Sequence, residues 1–199
     1  MPAVTRLVAS NKNPSHVNLY LDGEFAFTLT LDEVVKNGLK KGLKLTTDQV
    51  EALKQSHDLL WAYTKILNYL SFRPRTEYEV RVRLKKYGVT ESASIDWVVN
   101  KLKDHNYLSD LDFAKWLVNS RMNNRPRSKQ HISAELRTKG VNVTVINQVL
   151  SNIDENASLE ALIAKKSTLS RDKLIQFLLR RGFKYSGVLV KLDELGIKE

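Results

Sequence analysis

The chain contains no cysteine. That excludes a disulfide framework, a thiol nucleophile and any zinc site built on cysteine, and it suits a reducing compartment. The histidines, His16, His57, His105 and His131, show neither HExxH nor any other close pairing, so surface or hydrogen-bonding roles are expected of them and no metal site is read. Only 8 glycines and 4 prolines occur in 199 residues, which leaves little room for long flexible linkers. No window approaches 18 uninterrupted apolar residues, and Met1-Pro2-Ala3-Val4-Thr5-Arg6 lacks a basic stretch leading into an apolar one. Neither a membrane span nor a secretion signal is expected, and a cytoplasmic protein follows. Gly38-Leu39-Lys40-Lys41-Gly42 lacks phosphate-loop spacing, so no nucleotide and no other cofactor is expected.

What the chain does have is positive charge. There are 32 Lys+Arg against 22 Asp+Glu, a formal net charge of +10, which points to a polyanionic partner and first of all to nucleic acid. The excess is uneven: residues 1–55 carry 7 Lys+Arg and 6 Asp+Glu, and the remainder carries 25 and 16. Any polyanion therefore belongs with the C-terminal region.

The first 55 residues read as a small α+β region. Val17, Leu19 and Leu21 alternate, Asp22-Gly23 interrupts, and Phe25, Phe27 and Leu29 alternate again, which is the pattern of a β-hairpin. Pairing Leu21 with Phe25 puts all six on one face, so a three-residue loop or a bulge is expected rather than the simplest two-residue turn. Thr5 to Val8 is a candidate third strand. A short helix is expected over 32–36, and Thr46-Thr47-Asp48 caps another that begins near Gln49.

The rest of the chain repeats itself. Arg73-Pro74-Arg75-Thr76 recurs as Arg125-Pro126-Arg127-Ser128, and in the same frame Val80, Leu84, Gly88 and Val89 fall on Ile132, Leu136, Gly140 and Val141, then on Leu174, Leu178, Gly182 and Phe183. Thr76, Ser128 and Ser170 are helix caps, Thr76 with Glu79 forming a capping box. The i, i+4 apolar pairs give each helix one buried stripe, and each glycine supplies the positive φ that ends it. Apolar stripes before each cap and after each glycine complete a three-helix unit. The expected fold is mainly α: three tandem three-helix repeats (56–108, 109–155 and 156–199) stacked into an elongated curved array, preceded by the hairpin-plus-helix region 1–55.

Tyr107-Leu108-Ser109-Asp110-Leu111-Asp112-Phe113-Ala114, Glu135-Leu136-Arg137-Thr138-Lys139-Gly140-Val141 and Phe177-Leu178-Leu179-Arg180-Arg181-Gly182-Phe183 resemble, in that order, the motifs of the bacterial RecX regulatory proteins. The resemblance covers about residues 59 to 195, and the N-terminal 55 residues resemble an extension that some members carry. It implies a monomeric, non-enzymatic modulator of RecA that binds the groove of the RecA–DNA filament, blocks its extension, and depresses ATP hydrolysis and strand exchange during recombinational repair. Direct contact with single- or double-stranded DNA is part of that expectation.

Arg121, Arg125, Arg127, Lys129, Arg137, Lys139, Arg180, Arg181 and Lys184 are the candidate RecA- or DNA-binding face, with Lys85 and Lys86 as an extension. Arginine's planar fork suits phosphate and carboxylate alike, so sequence leaves the choice between DNA and an acidic RecA surface open. Asp110, Asp112 and Glu135 could be imagined as a metal-dependent nuclease site, but acids in the first turn of a helix are more simply dipole partners. Trp61, Trp97, Phe113 and Trp116 fall on apolar stripes and are expected in the core. The alternative function is a general DNA-binding or architectural helical protein.

Overall fold

The computed structural model describes residues 1–11, 13–124 and 126–197. It divides into two compact units, Met1–Ile66 and Leu67–Glu199.

In the first unit, β1 (Val4–Ser10), β2 (Asn13–Leu21) and β3 (Glu24–Thr30) form an antiparallel sheet in that order. Of the two expected ways to set the register, a three-residue loop or a bulge, the hairpin uses the bulge and keeps a two-residue turn. Asp22 and Gly23 both take positive φ, +49° and +92°, and form a two-residue turn with Leu21 opposite Glu24. A shift between Leu19 and Tyr20 then leaves Ala26 unmatched and brings Leu19 opposite Phe27 and Val17 opposite Leu29. The bulge rescues the alternation, because Val17, Leu19, Phe27 and Leu29 are all buried. Phe25, on the turn side of the bulge, is instead exposed and meets Tyr20 edge-on at 5.8 Å.

Thr30 and Glu33 form a capping box at the start of α1 (Leu31–Lys36). Thr46 and Gln49 exchange reciprocal bonds of 3.2 and 2.8 Å at the start of α2 (Thr47–Leu70). Val4, Leu19, Phe27 and Leu29 pack with Leu39, Leu45 and Leu53 as the core of this unit.

The second unit is helical: α3 (Glu77–Lys86), α4 (Ser92–Asp104), α5 (Asp110–Asn124), α6 (Lys129–Thr138), α7 (Val143–Ser151), α8 (Glu155–Lys165), α9 (Arg171–Arg180) and α10 (Tyr185–Glu194). The aligned helices α3, α6 and α9 bury the aligned pairs Val80/Leu84, Ile132/Leu136 and Leu174/Leu178 at 1% exposure or less, each side chain worth roughly 1.5–3 kcal/mol against leaving it in water. Each helix closes with the same motif. The N–H groups of Val89, Val141 and Phe183 donate back to the carbonyls of Leu84, Leu136 and Leu178 at 3.1, 3.1 and 3.3 Å. Helices α5, α6 and α7 enclose Phe113, Leu117, Ile132, Leu136 and Ile146. Helices α8, α9 and α10 enclose Leu159, Leu162, Leu174, Leu178, Val188 and Leu192.

Three local readings need correction. The Thr76 and Ser128 hydroxyls accept from the N–H groups of Glu79 and His131 at 3.1 Å, but Ser170, with the backbone angles of a cap, makes no side-chain cap bond. Glu79 completes no capping box, because its carboxylate is taken by Arg73 and Lys139. Phe113 is buried and Trp116 packs against the second core, whereas Trp61 and Trp97 are 42% and 38% exposed. Lys65 lies 5.5 Å over the Trp61 ring and Lys101 lies 4.6 Å over that of Trp97.

Candidate functional site

The helical unit is held together at its junctions by polar groups that recur. Asp110, the first residue of α5, accepts the backbone N–H of Glu77 at the start of α3 at 2.9 Å. Glu155, the first residue of α8, accepts the backbone N–H of Lys129 at the start of α6 at 2.8 Å. Each acid thus opens a helix, α5 or α8, and reaches back to cap the middle one of the three helices before it, satisfying a donor that the helix leaves free. A further backbone bond joins the Ser128 N–H to the Arg181 carbonyl at 3.1 Å. The glycine turns press on the same places. A Cβ at Gly140 would fall 2.6 Å from the Tyr78 Cβ, and one at Gly182 would fall 2.6 Å from the Ser128 Oγ.

The basic residues read from the sequence divide into those the fold uses and those it leaves free. Arg121 grips Glu135 with both arms of its fork, at 2.9 and 2.5 Å, and Arg127 reaches the same carboxylate at 3.4 Å. Lys139 pairs with Glu79 at 3.1 Å, joining α6 to α3. Arg181 lies 4.9 Å over the ring of Phe177. Lys129, Arg137, Arg180 and Lys184 have no ion pair among the described residues, and the last three are exposed. Lys85 and Lys86 are likewise exposed and unpaired among the described residues. Arg125 lies outside the described residues.

Electrostatics follow this division. Arg121's fork draws the Glu135 carboxyl below its ordinary 4.5, while Glu135 raises Arg121. Burial would push Glu79 up, but hydrogen bonds from Arg73 and Lys139 outweigh it and hold the carboxyl below 4.5. At Glu77 burial is outweighed in the same way by Lys103 and Arg81. Asp110 goes the other way: burial raises it above its ordinary 3.8, against the pull of the Glu77 N–H. Asp110 and Glu135 are thus spent on separate structural tasks, and no group of three His, Asp or Glu is placed to hold a metal among the described residues. Sequence reasoning had not found these carboxylate partners. The usable signal was that Asp110 and Glu155 each open the first helix of a repeat.

Comparison with known proteins agrees with this architecture. The sequence profile for the regulatory protein RecX N-terminal domain matches residues 2–46. Those for the first and second RecX three-helix domains match 62–102 and 109–150. Regulatory protein RecX of Bacillus licheniformis is 31% identical over 98% of this chain and 78% of its own length. The chain belongs to the RecX family. RecX of Bacillus subtilis is 28% identical over the same shares of the two chains, 98% and 78%. In structure, a crystal form of regulatory protein RecX superposes with a TM-score of 0.75 over 97% of this chain and all of the other, a likeness of fold at 24% identity. RecX from Lactobacillus salivarius gives 0.60 at 26% identity over 72% of this chain and 99% of the other. Helices α8 to α10 lie beyond the residues that the RecX profiles match. No helix among the described residues is long and apolar enough to cross a membrane.

Proposed function

We propose that this RecX-family chain binds the RecA–DNA filament and inhibits RecA, limiting filament extension, ATP hydrolysis and strand exchange, without catalytic chemistry of its own. Family membership over nearly the whole chain is the observation that carries this reading. It acts as a cytoplasmic monomer. Its contact surface includes those candidate cations that make no ion pair among the described residues, Lys129, Arg137, Arg180 and Lys184, with Arg181 alongside them in sequence. Arg121, Arg127 and Lys139 support that surface from their carboxylates and meet the partner only secondarily. Contacts shared between neighbouring RecA protomers disfavour the relative motion that growth and turnover require, because a ligand shifts an equilibrium by its preference for one state.

The deciding experiment measures RecA's hydrolysis of ATP on single-stranded DNA while the protein is titrated far below RecA's concentration. Inhibition at such ratios is expected. Inhibition only when the protein can cover the DNA would favour a general DNA-binding function.

A further inference from the structure

The first three-helix repeat carries a second group of cations, built differently from the first. Arg75 lies 4.1 Å over the ring of Tyr69. Arg83 lies 5.0 Å from the centre of the same ring and 4.9 Å from that of Tyr87, to whose hydroxyl its Nε donates at 3.0 Å. Arginine and tyrosine thus alternate, Arg75–Tyr69–Arg83–Tyr87, drawing on the last turn of α2, the turn before α3 and the end of α3. Neighbouring arginines behave otherwise: Arg73 is held by Glu79 and Arg81 by Glu77 and Asp96. Arg75 and Arg83 meet no carboxylate among the described residues, and the Arg75 Nε is buried without an acceptor. Lys85 and Lys86 follow in the last turn of α3, exposed and unpaired among the described residues.

Arg75 also lines an open groove of about 670 Å³, walled by Leu67, Leu70, Phe72, Tyr107 and Asp112 among others. Phe72 is 84% exposed and Tyr107 57% exposed beside it. A phenylalanine ring held that far out of the core gains little from burial on folding, and beside Tyr107 and the Arg75-lined groove it is open to a ligand.

We infer that Phe72, Tyr107 and the Arg75–Tyr69–Arg83–Tyr87 ladder form a binding site for unpaired nucleobases and their backbone, that is, for a single-stranded nucleic acid. Every base has a π face, and exposed rings offer it a platform that no duplex can use, because its bases are already stacked on one another. Phosphates suit Arg75, Arg83, Lys85 and Lys86, which have no acid to neutralise them. Asp112 is the one carboxylate among the groove-lining residues, so the backbone runs along the arginine ladder and the bases enter the groove. The side chains of an acidic peptide would satisfy the cations but would offer the exposed rings no face to stack on. This site is separate from the contact surface proposed above, and its test contains no RecA.

The test is fluorescence anisotropy with a labelled oligothymidylate and with an abasic oligomer of the same length. Oligothymidylate is expected to bind the tighter, and Phe72→Ala to weaken it roughly five-fold or more. The same substitution leaves the abasic oligomer unaffected, Phe72→Trp restores binding, and thermal melting is unchanged. Lys86→Gln lowers the salt slope by about 0.7, one phosphate contact on a single strand. Equal affinity for the two oligomers overturns the inference, as does parental binding by Phe72→Ala. So does displacement by a polyglutamate peptide that binds as tightly and depends equally on Phe72, an outcome that would assign the groove to an acidic protein segment.

Discussion

Glu135 accepts from Arg121 and Arg127 at once, which makes it the anchor of two residues that sequence reading assigned to binding. The carboxylate is only 19% exposed and Arg121 is 30% exposed, so solvent screens the pair incompletely. Glu135→Gln should therefore destabilise the helical unit by about 1 kcal/mol, read from urea unfolding at neutral pH. The pH dependence has a definite sign. The folded carboxyl lies below the ordinary 4.5, so its stabilisation is complete above that value and is lost as pH falls through the folded one. The gap between parent and Glu135→Gln should narrow in acid, and a constant gap would show that the charge is not its source. Arg121→Glu should lower stability in the same way, by leaving two carboxylates face to face.

At the scale of elements, the repeats join through helix ends. Asp110 spans from α5 to the first turn of α3, so Asp110→Ala should cost about 1 kcal/mol, as the loss of a cap does elsewhere. Asp110→Asn retains an acceptor and should cost much less. Burial holds Asp110 above its ordinary 3.8, so the charged form is the one the fold disfavours, and its contribution weakens as pH rises through the folded value. Asparagine escapes that effect. The glycine turns give a second comparison. Gly88 and Gly140 share a positive φ, +88° and +79°, but a Cβ at Gly88 meets nothing within 4 Å, whereas one at Gly140 strikes the Tyr78 Cβ. Alanine at Gly88 should cost about 1 kcal/mol of backbone strain, and alanine at Gly140 should cost at least about 1 kcal/mol more. Equal urea midpoints for the two variants would remove the Tyr78 contact from the junction. Valine at Gly140 should be worse still, because β-branching adds to both terms.

For the molecule as a whole, the important division is between cations that hold the fold and cations that remain for a partner. Reversing Arg180 and Lys184 to Glu together should relieve RecA inhibition and leave the melting temperature where it was, since both are exposed and neither is ion-paired among the described residues. Intact inhibition in that variant would take those two out of the contact surface. The Phe72 variants probe a different surface, so a chain that lost oligonucleotide binding and still inhibited RecA would show the two to be independent.

Much of this was legible in the chain of residues itself. The hydroxyl caps at Thr76 and Ser128, the buried i, i+4 pairs and the positive φ at Gly88, Gly140 and Gly182 are each dictated by residues within one or two turns, and local physics reads them correctly. The hairpin was legible too, with a three-residue loop or a bulge expected from its alternation; that a two-residue turn is kept and a bulge at Ala26 restores the register depends on which face of the sheet the core covers. What only the tertiary structure decided was the fate of the charges. Arg121 and Glu135 are 14 positions apart and Lys139 and Glu79 are 60 apart, so nothing local determines that they meet. Whether a cation is spent on a carboxylate, stacked on a tyrosine or left unpaired follows from how the helices pack, within a repeat for Arg121 and Arg83 and between repeats for Lys139, because ion pairing depends on distance in space and not on separation along the chain.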